Sequence, residues 1–164
     1  MAQTVNGYIA TVSDETPWSD EEWNTYHSVV KRVGNIIIGR RTYEMMRKSD
    51  EFRQIGNPAT VIVTSDPHLK SDNSQFYFAK SPREALKTLK VLGFKETLVG
   101  GGGQLNTSFM KEGLVDEIYL DVEPLMFGKG IPLFTSEDFD CNLELLGIKK
   151  LNANTVQLHY KVVR

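Results

Sequence analysis

Apolar positions along this chain follow two periods. Ile36-Ile37-Ile38 and Ala59 to Thr64 are short, nearly continuous apolar runs. Such runs suit strands buried on both faces of a parallel sheet. Trp23, Tyr26, Val29, Val30 and Val33 recur at helical spacing instead, which predicts a helix ending at Gly34-Asn35. Ser19 with Glu22 three residues on is the capping-box pattern for its start. A second helix is predicted from Arg40 to Thr42 onward, carrying Tyr43, Met45 and Met46. A third spans Pro82 to Val91, with Ser81 as cap and Pro82 at the first helical position. A fourth spans Gln104 to Glu112, with Leu105, Phe109 and Met110 on one face.

Between these lie strands. Ala2 to Val5 and Tyr8 to Ala10 flank the turn signal Asn6-Gly7; Phe76 to Phe78 is short; an apolar strand starting near Glu96 ends in Gly100 to Gly103; and Val115 to Val122 follows Gly113. Asn142 to Lys150 and Thr155 to Val163 form a terminal pair around Asn152-Ala153-Asn154. Asp50 to Pro58 reads as a loop. This order predicts an α/β three-layer fold, with a mixed, mostly parallel sheet and a C-terminal antiparallel hairpin. The 164 residues suit a single domain over 1–164. The first strand has few apolar residues, so either further residues precede Met1 or the sheet edge there is unusual.

Composition narrows the function classes. A net charge of -2 gives no reason to expect nucleic acid or an acidic membrane as partner. No apolar run approaches the roughly 20 residues that span a bilayer. The lone Cys141 excludes an internal disulfide and suits a reducing cytoplasm. His27, His68 and His159 lack metal-ligand spacing, so no metal is expected.

Ligands of open α/β sheets collect at the carboxyl ends of strands, and three such ends carry suggestive residues. Gly39-Arg40-Arg41-Thr42 places two cations and a hydroxyl at a helix start. That helix end disfavours cations unless an anion is bound; the plainer reading is a solvated arginine pair. Thr64 and Ser65 offer hydroxyls, or a plain turn. Gly100 to Gly103 lets backbone N–H groups approach a phosphate, or makes a tight turn. Lys80 adds a cation, or an exposed lysine beside a cap. Three phosphate-compatible ends favour a dinucleotide. Asp20, Glu21 and Glu22 are the candidates for a proton donor, although acids at a helix start commonly only cap. Trp18 either covers a flat ligand ring or anchors its loop. No nucleophile motif such as GxSxG is present.

TVNGYIA (Thr4 to Ala10), IIIGRRTYE (Ile36 to Glu44), VIVTS (Val61 to Ser65), KSPREAL (Lys80 to Leu86) and the series GGGGQL…GLVDEIYL…GKGIPLF resemble the dihydrofolate reductase-like superfamily, and more closely its RibD C-terminal branch of riboflavin-type pyrimidine reductases. The resemblance covers nearly the whole chain. It implies an NADPH-dependent reductase. Arg40, Arg41 and Thr42 then meet the cofactor phosphates, and Thr64, Ser65 and Lys80 the adenosine 2′-phosphate side. Gly101, Gly102, Gly103, Gln104 and Leu105 wrap the pyrophosphate. Ala2 and Ile9 flank the nicotinamide, and Trp18 lies on a loop at the cofactor. The family's substrate-binding acid falls at Gly100, its loop serine at Thr16 and its helix arginine loosely near Arg32. True dihydrofolate reductases instead use an acid of the first helix for the pterin. The implied substrate is a pyrimidine- or pterin-like heterocycle, and the implied assembly a homodimer. The alternatives are dihydrofolate reductase activity, or a non-catalytic nucleotide-binding or dimeric interaction module on the same fold.

Overall fold

The computed structural model describes residues 1–164. In chain order the elements are β1 (Ala2–Thr4), β2 (Tyr8–Ala10), α1 (Asp20–Val33), β3 (Asn35–Gly39), α2 (Arg40–Lys48), α3 (Glu51–Gln54), β4 (Ala59–Val63), β5 (Phe76–Ala79), α4 (Pro82–Val91), α5 (Gly103–Lys111), β6 (Glu117–Glu123), β7 (Ile131–Pro132), β8 (Asn142–Lys150) and β9 (Val156–Val163). They gather into two compact units, Met1–Thr25 with Asn106–Arg164, and Tyr26–Leu105. No helix is long and apolar enough to cross a membrane.

The Tyr26–Leu105 unit is built on the parallel sheet β3-β4-β5, with Ile37 opposite Val61 and Val61 opposite Tyr77. A single parallel bridge, Ile37 to Val99, extends it on the other side of β3. The strand expected before the glycines is therefore one bridging residue. The flanking Lys95 and Glu96 are exposed, leaving only Leu98 and Val99 to pair. Val30, Ile36, Ile38, Tyr43, Met46, Phe52, Ile55 and Ile62 form one core cluster. Each such side chain contributes about 1.5–3 kcal/mol on burial. Tyr43 meets Phe76 edge-on, with ring centroids 5.3 Å apart. Asp50 to Pro58 is not wholly a loop. Glu51–Gln54 is one helical turn, because buried Phe52 and Ile55, three apart, need a helical face to reach the core.

The other unit holds the sheet β1-β6-β9-β8, in which β1 runs parallel to β6 and the other pairs are antiparallel. The terminal hairpin turns through Asn152, whose Oδ1 accepts from the N–H groups of Asn154 and Thr155, each at 2.8 Å. Strand β7 was not expected. It pairs with β2, and Gly130 is what lets it approach: a Cβ there would lie 2.6 Å from the Ala10 carbonyl oxygen.

Strand β6 inverts the usual reading of alternation. Its apolar residues Ile118, Leu120 and Val122 are only half-buried, whereas Asp121 and Glu123 are 4% and 3% exposed. Thr4, Glu22, Thr107 and Thr155 are buried in the same unit.

Candidate cofactor edge and buried carboxyl cluster

Because β3, β4, β5 and Val99 run parallel, their carboxyl ends share one edge of the Tyr26–Leu105 unit. Gly39-Arg40, Thr64-Ser65, Lys80 and Gly100 to Gly103 all follow those ends directly. The structure thus brings together the phosphate-compatible segments that lie in this unit. Gly39 N–H donates to the Gly101 carbonyl at 2.8 Å, and Gly100 N–H to Ile37 at 2.8 Å, which ties the glycine run to β3. Gly101 has φ +84, a conformation that glycine takes without strain. A Cβ on Gly102 would stand 3.8 Å from Thr42 Oγ1, so that hydroxyl borders the run.

The helix starts along this edge differ in charge and capping. Helix α2 begins at Gly39 with no side-chain cap, and the first turns of α2 and α5 contain no acid. Uncapped N–H groups at a helix start carry partial positive charge. Helix α4, on the same edge, is closed instead: Ser81 Oγ accepts from Glu84 N–H at 3.3 Å, and Glu84 Oε2 accepts from Lys80 N–H at 2.7 Å. Arg40 is about half exposed and pairs loosely with Glu44 at 3.5 Å and Asp66 at 3.6 Å. Exposed pairs of this kind contribute about 0–1 kcal/mol, so they hold the Arg40 side chain only weakly. Thr64 Oγ1 accepts from Asp66 N–H at 3.1 Å, and Ser65 and the Lys80 side chain are exposed. Leu105 is buried and Gln104 exposed at the start of α5.

Two expected substrate contacts look different in place. Gly100 has no room for a side chain: a Cβ would lie 2.6 Å from Ile36 Cδ1 and 3.0 Å from Ile38 Cγ2. An acid at that position would require the Ile36 and Ile38 side chains to shift. Arg32 is exposed and held in a two-pronged pair with Glu96, both contacts at 3.0 Å.

In the other unit, Ala2 and Ile9 are each 8% exposed. Thr16 accepts from Trp18 N–H at 2.8 Å, and the Trp18 ring stacks on Phe127 at 6.3 Å, which anchors the loop. The first turn of α1 separates its acids. Asp20 and Glu21 face solvent, whereas Glu22 is buried. Ser19 Oγ accepts from Glu22 N–H at 3.3 Å, which is half of a capping box. The Glu22 carboxyl does not complete it; it is buried, and its Oε2 has no hydrogen-bond partner. Burial, then the charge of Asp121, pushes Glu22 from the ordinary 4.5 up to about 8.

Sequence reasoning missed Asp121 and Glu123. Gln157 Nε2 donates to Asp121 Oδ1 at 2.7 Å. Ser19 Oγ donates to Glu123 Oε1 at 2.8 Å, and Thr155 Oγ1 lies 3.4 Å from Glu123 Oε2. Their alternation with Leu120 and Val122 was visible, but the apolar side of the strand was the natural choice for burial.

Comparisons with known proteins place the fold and the family. YwjB of Bacillus subtilis (strain 168), an uncharacterized protein, is 29% identical, over 98% of this chain and 94% of that protein. The riboflavin biosynthesis protein RibD of Corynebacterium ammoniagenes is 27% identical, over 80% of this chain but only 43% of that longer protein. The solved structure of a putative riboflavin biosynthesis protein from Shewanella sp. PV-4 superposes with a TM-score of 0.81 at 19% identity, over 100% of this chain and 97% of that one. That likeness shows the same mixed α/β fold. The model of the RibD C-terminal domain matches residues 1–157, so the chain belongs to the RibD C-terminal domain family.

Proposed function

We propose that this chain is an NADPH-dependent reductase acting on a pyrimidine- or pterin-like heterocycle. The observation that carries the reading is the edge at the α2 and α5 starts: neither first turn holds an acid, α2 has no side-chain cap, and Arg40, Arg41, Thr42 and the glycine run lie together there. Its donor set fits a nucleotide with several phosphates. Arg40, Arg41 and Thr42 hold phosphate oxygens; Thr64, Ser65 and Lys80 read the 2′-phosphate; Gly101, Gly102, Gly103, Gln104 and Leu105 receive the pyrophosphate. Ala2, Ile9 and Trp18 belong to the nicotinamide side. The bound cofactor supplies hydride, so the chain's own task is to orient both partners and to provide a proton. Glu22 fits the second task, because it carries its proton at neutral pH.

The filled space at Gly100 favours a substrate bound by an acid elsewhere, and Glu22 on the first helix is that acid. This points to a pterin-like edge, for which dihydrofolate reductase activity is the nearest reading. A homodimer is also part of the proposal. Register places Leu145, Tyr160 and Ile118, and Ile148, Leu158 and Leu120, on one face of the sheet, with Leu145 and Ile148 50% and 65% exposed. Sedimentation of wild type and of Leu145→Lys/Ile148→Glu tests it: a dimer reduced to monomer is expected, and an unchanged mass refutes it.

The test of the function is titration with NADPH and NADH, followed by tryptophan fluorescence. NADPH binding at least about tenfold tighter than NADH, the worth of one good charge-assisted contact, is expected. Binding of neither nucleotide transfers the reading to a non-catalytic interaction module.

A further inference from the structure

The glycine run carries little information about its own register. Ile37 N–H donates to the Leu98 carbonyl at 2.8 Å, and Gly100 N–H donates to the Ile37 carbonyl at 2.8 Å. These two bonds are one step of a parallel ladder along β3. Gly100 stands over Ile36 and Ile38, where a Cβ would lie 2.6 Å from Ile36 Cδ1. A slip that brought Val99 to this place is opposed by that contact. A slip the other way brings Gly101 to it, and one glycine fits there as well as another. The same slip puts Val99 where Leu98 packs on the core cluster, which exchanges one aliphatic for another. Gly-rich strands specify register weakly for this reason.

Asn35 supplies what the glycines lack. It is fully buried at the start of β3. Its Nδ2 donates to the Glu96 carbonyl at 2.8 Å and to the Val33 carbonyl at 3.3 Å. Residue 35 precedes Ile37 by the same step as Glu96 precedes Leu98. The side-chain amide therefore makes the next rung of the ladder, at the end away from the glycines. At the glycine end the steps are unequal. Gly39 N–H donates to the Gly101 carbonyl at 2.8 Å, so β3 advances from 37 to 39 while the facing segment advances from 98 to 101. An extra residue is taken up there, as in a β-bulge, and Gly101 has φ +84. Asn35 Oδ1 has no hydrogen-bond partner, so the donor end of this side chain is the end that the fold uses.

We infer that Asn35 is a positioning residue that fixes the register of the segment from Glu96 to Gly101, so that the extra residue falls in the glycine run and sets the backbone that meets a pyrophosphate. The pyrophosphate rests on the reductase reading above; the register does not.

Amide hydrogen exchange, recorded without nucleotide, tests the register. Asn35→Leu keeps the bulk and removes the donor. Exchange at Gly39 and Gly100 is expected to speed up about tenfold, the worth of one hydrogen bond. Val61 and Ile62, in the ladders on the other side of β3, should be unchanged. Asn35→Ser, whose hydroxyl is too short to reach Glu96, should show the same pattern and carries the test if Asn35→Leu fails to fold. Titration with two probes tests the consequence. NADPH, which contains a pyrophosphate, should bind the variants about tenfold more weakly, whereas adenosine 2′-monophosphate, which lacks one, should bind them as it binds wild type. Unchanged exchange at Gly39 and Gly100, or an equal acceleration at Val61 and Ile62, overturns the register role. An equal loss for both probes, or none for NADPH, overturns the link to the pyrophosphate. Wild type that binds neither probe sinks the reductase reading instead, and the exchange pattern alone then decides the role of Asn35.

Discussion

The two units bury different polar groups: the neutral Asn35 and Thr60 in Tyr26–Leu105, and three carboxyls in the other. In Tyr26–Leu105 the interior is aliphatic and aromatic, from Ile36 and Ile38 to Tyr43 and Phe52. In the unit containing both termini, Thr4, Glu22, Asp121, Glu123 and Thr155 are all buried, while apolar Ile118, Leu120 and Val122 of β6 stay half-exposed. Apolar burial stabilises without direction and can be satisfied by many sequences. Buried carboxyls cost stability unless something uses or offsets them. On the proposed reductase reading, the contrast separates two tasks: the Tyr26–Leu105 unit offers the edge for phosphates, and the other unit the buried acid.

The largest effect should come from the apolar side. Ile38→Ala is expected to cost about 2–5 kcal/mol in urea unfolding, as for other fully buried aliphatics. A loss below about 1 kcal/mol would mean that this core is loosely packed.

Next comes the pH dependence contributed by the polar side. Glu22 binds its proton more tightly folded than unfolded, with its value raised from 4.5 to about 8. Its contribution is fully present below about 4.5 and is lost as pH rises through about 8. The loss amounts to a few kcal/mol. Glu22→Gln should flatten that part of the stability profile across this window, and an unchanged slope would place the proton elsewhere.

Gly100→Asp probes whether the apolar core excludes a substrate acid. With Ile36 Cδ1 2.6 Å from the new Cβ, a loss of about 1–3 kcal/mol is expected from overpacking. Trimming the blocking residue in Ile36→Val/Gly100→Asp should recover part of it. The smallest effect belongs to the surface. Arg32→Ala removes an exposed pair with Glu96 and should cost at most about 1 kcal/mol.

Most of the apolar unit was legible in the sequence, because continuous runs such as Ile36-Ile37-Ile38 and the Ser81-Pro82 start of α4 carry strong local signals. The fit of Ser81 with Glu84 and the misfit of Ser19 with Glu22 show the limit. Both have the same capping pattern, yet Glu84 turns back to the helix start while Glu22 is buried. Local spacing cannot distinguish them, since the acid that raises Glu22, Asp121, lies far along the chain. Strand β7 was hidden for a similar reason: two residues beside Gly130 pair only because β2 passes close by. Asp121 and Glu123 were hidden by their own chemistry, as acids in an alternating strand read as its solvent side.

The most direct measurement compares NADPH and NADH affinities in wild type and Arg41→Ala. Wild type should prefer NADPH, and Arg41→Ala should lose about 1.5–3 kcal/mol of NADPH binding with a much smaller loss for NADH. Equal losses for the two nucleotides, or no preference in wild type, would contradict the phosphate-reading edge on which the reductase reading stands.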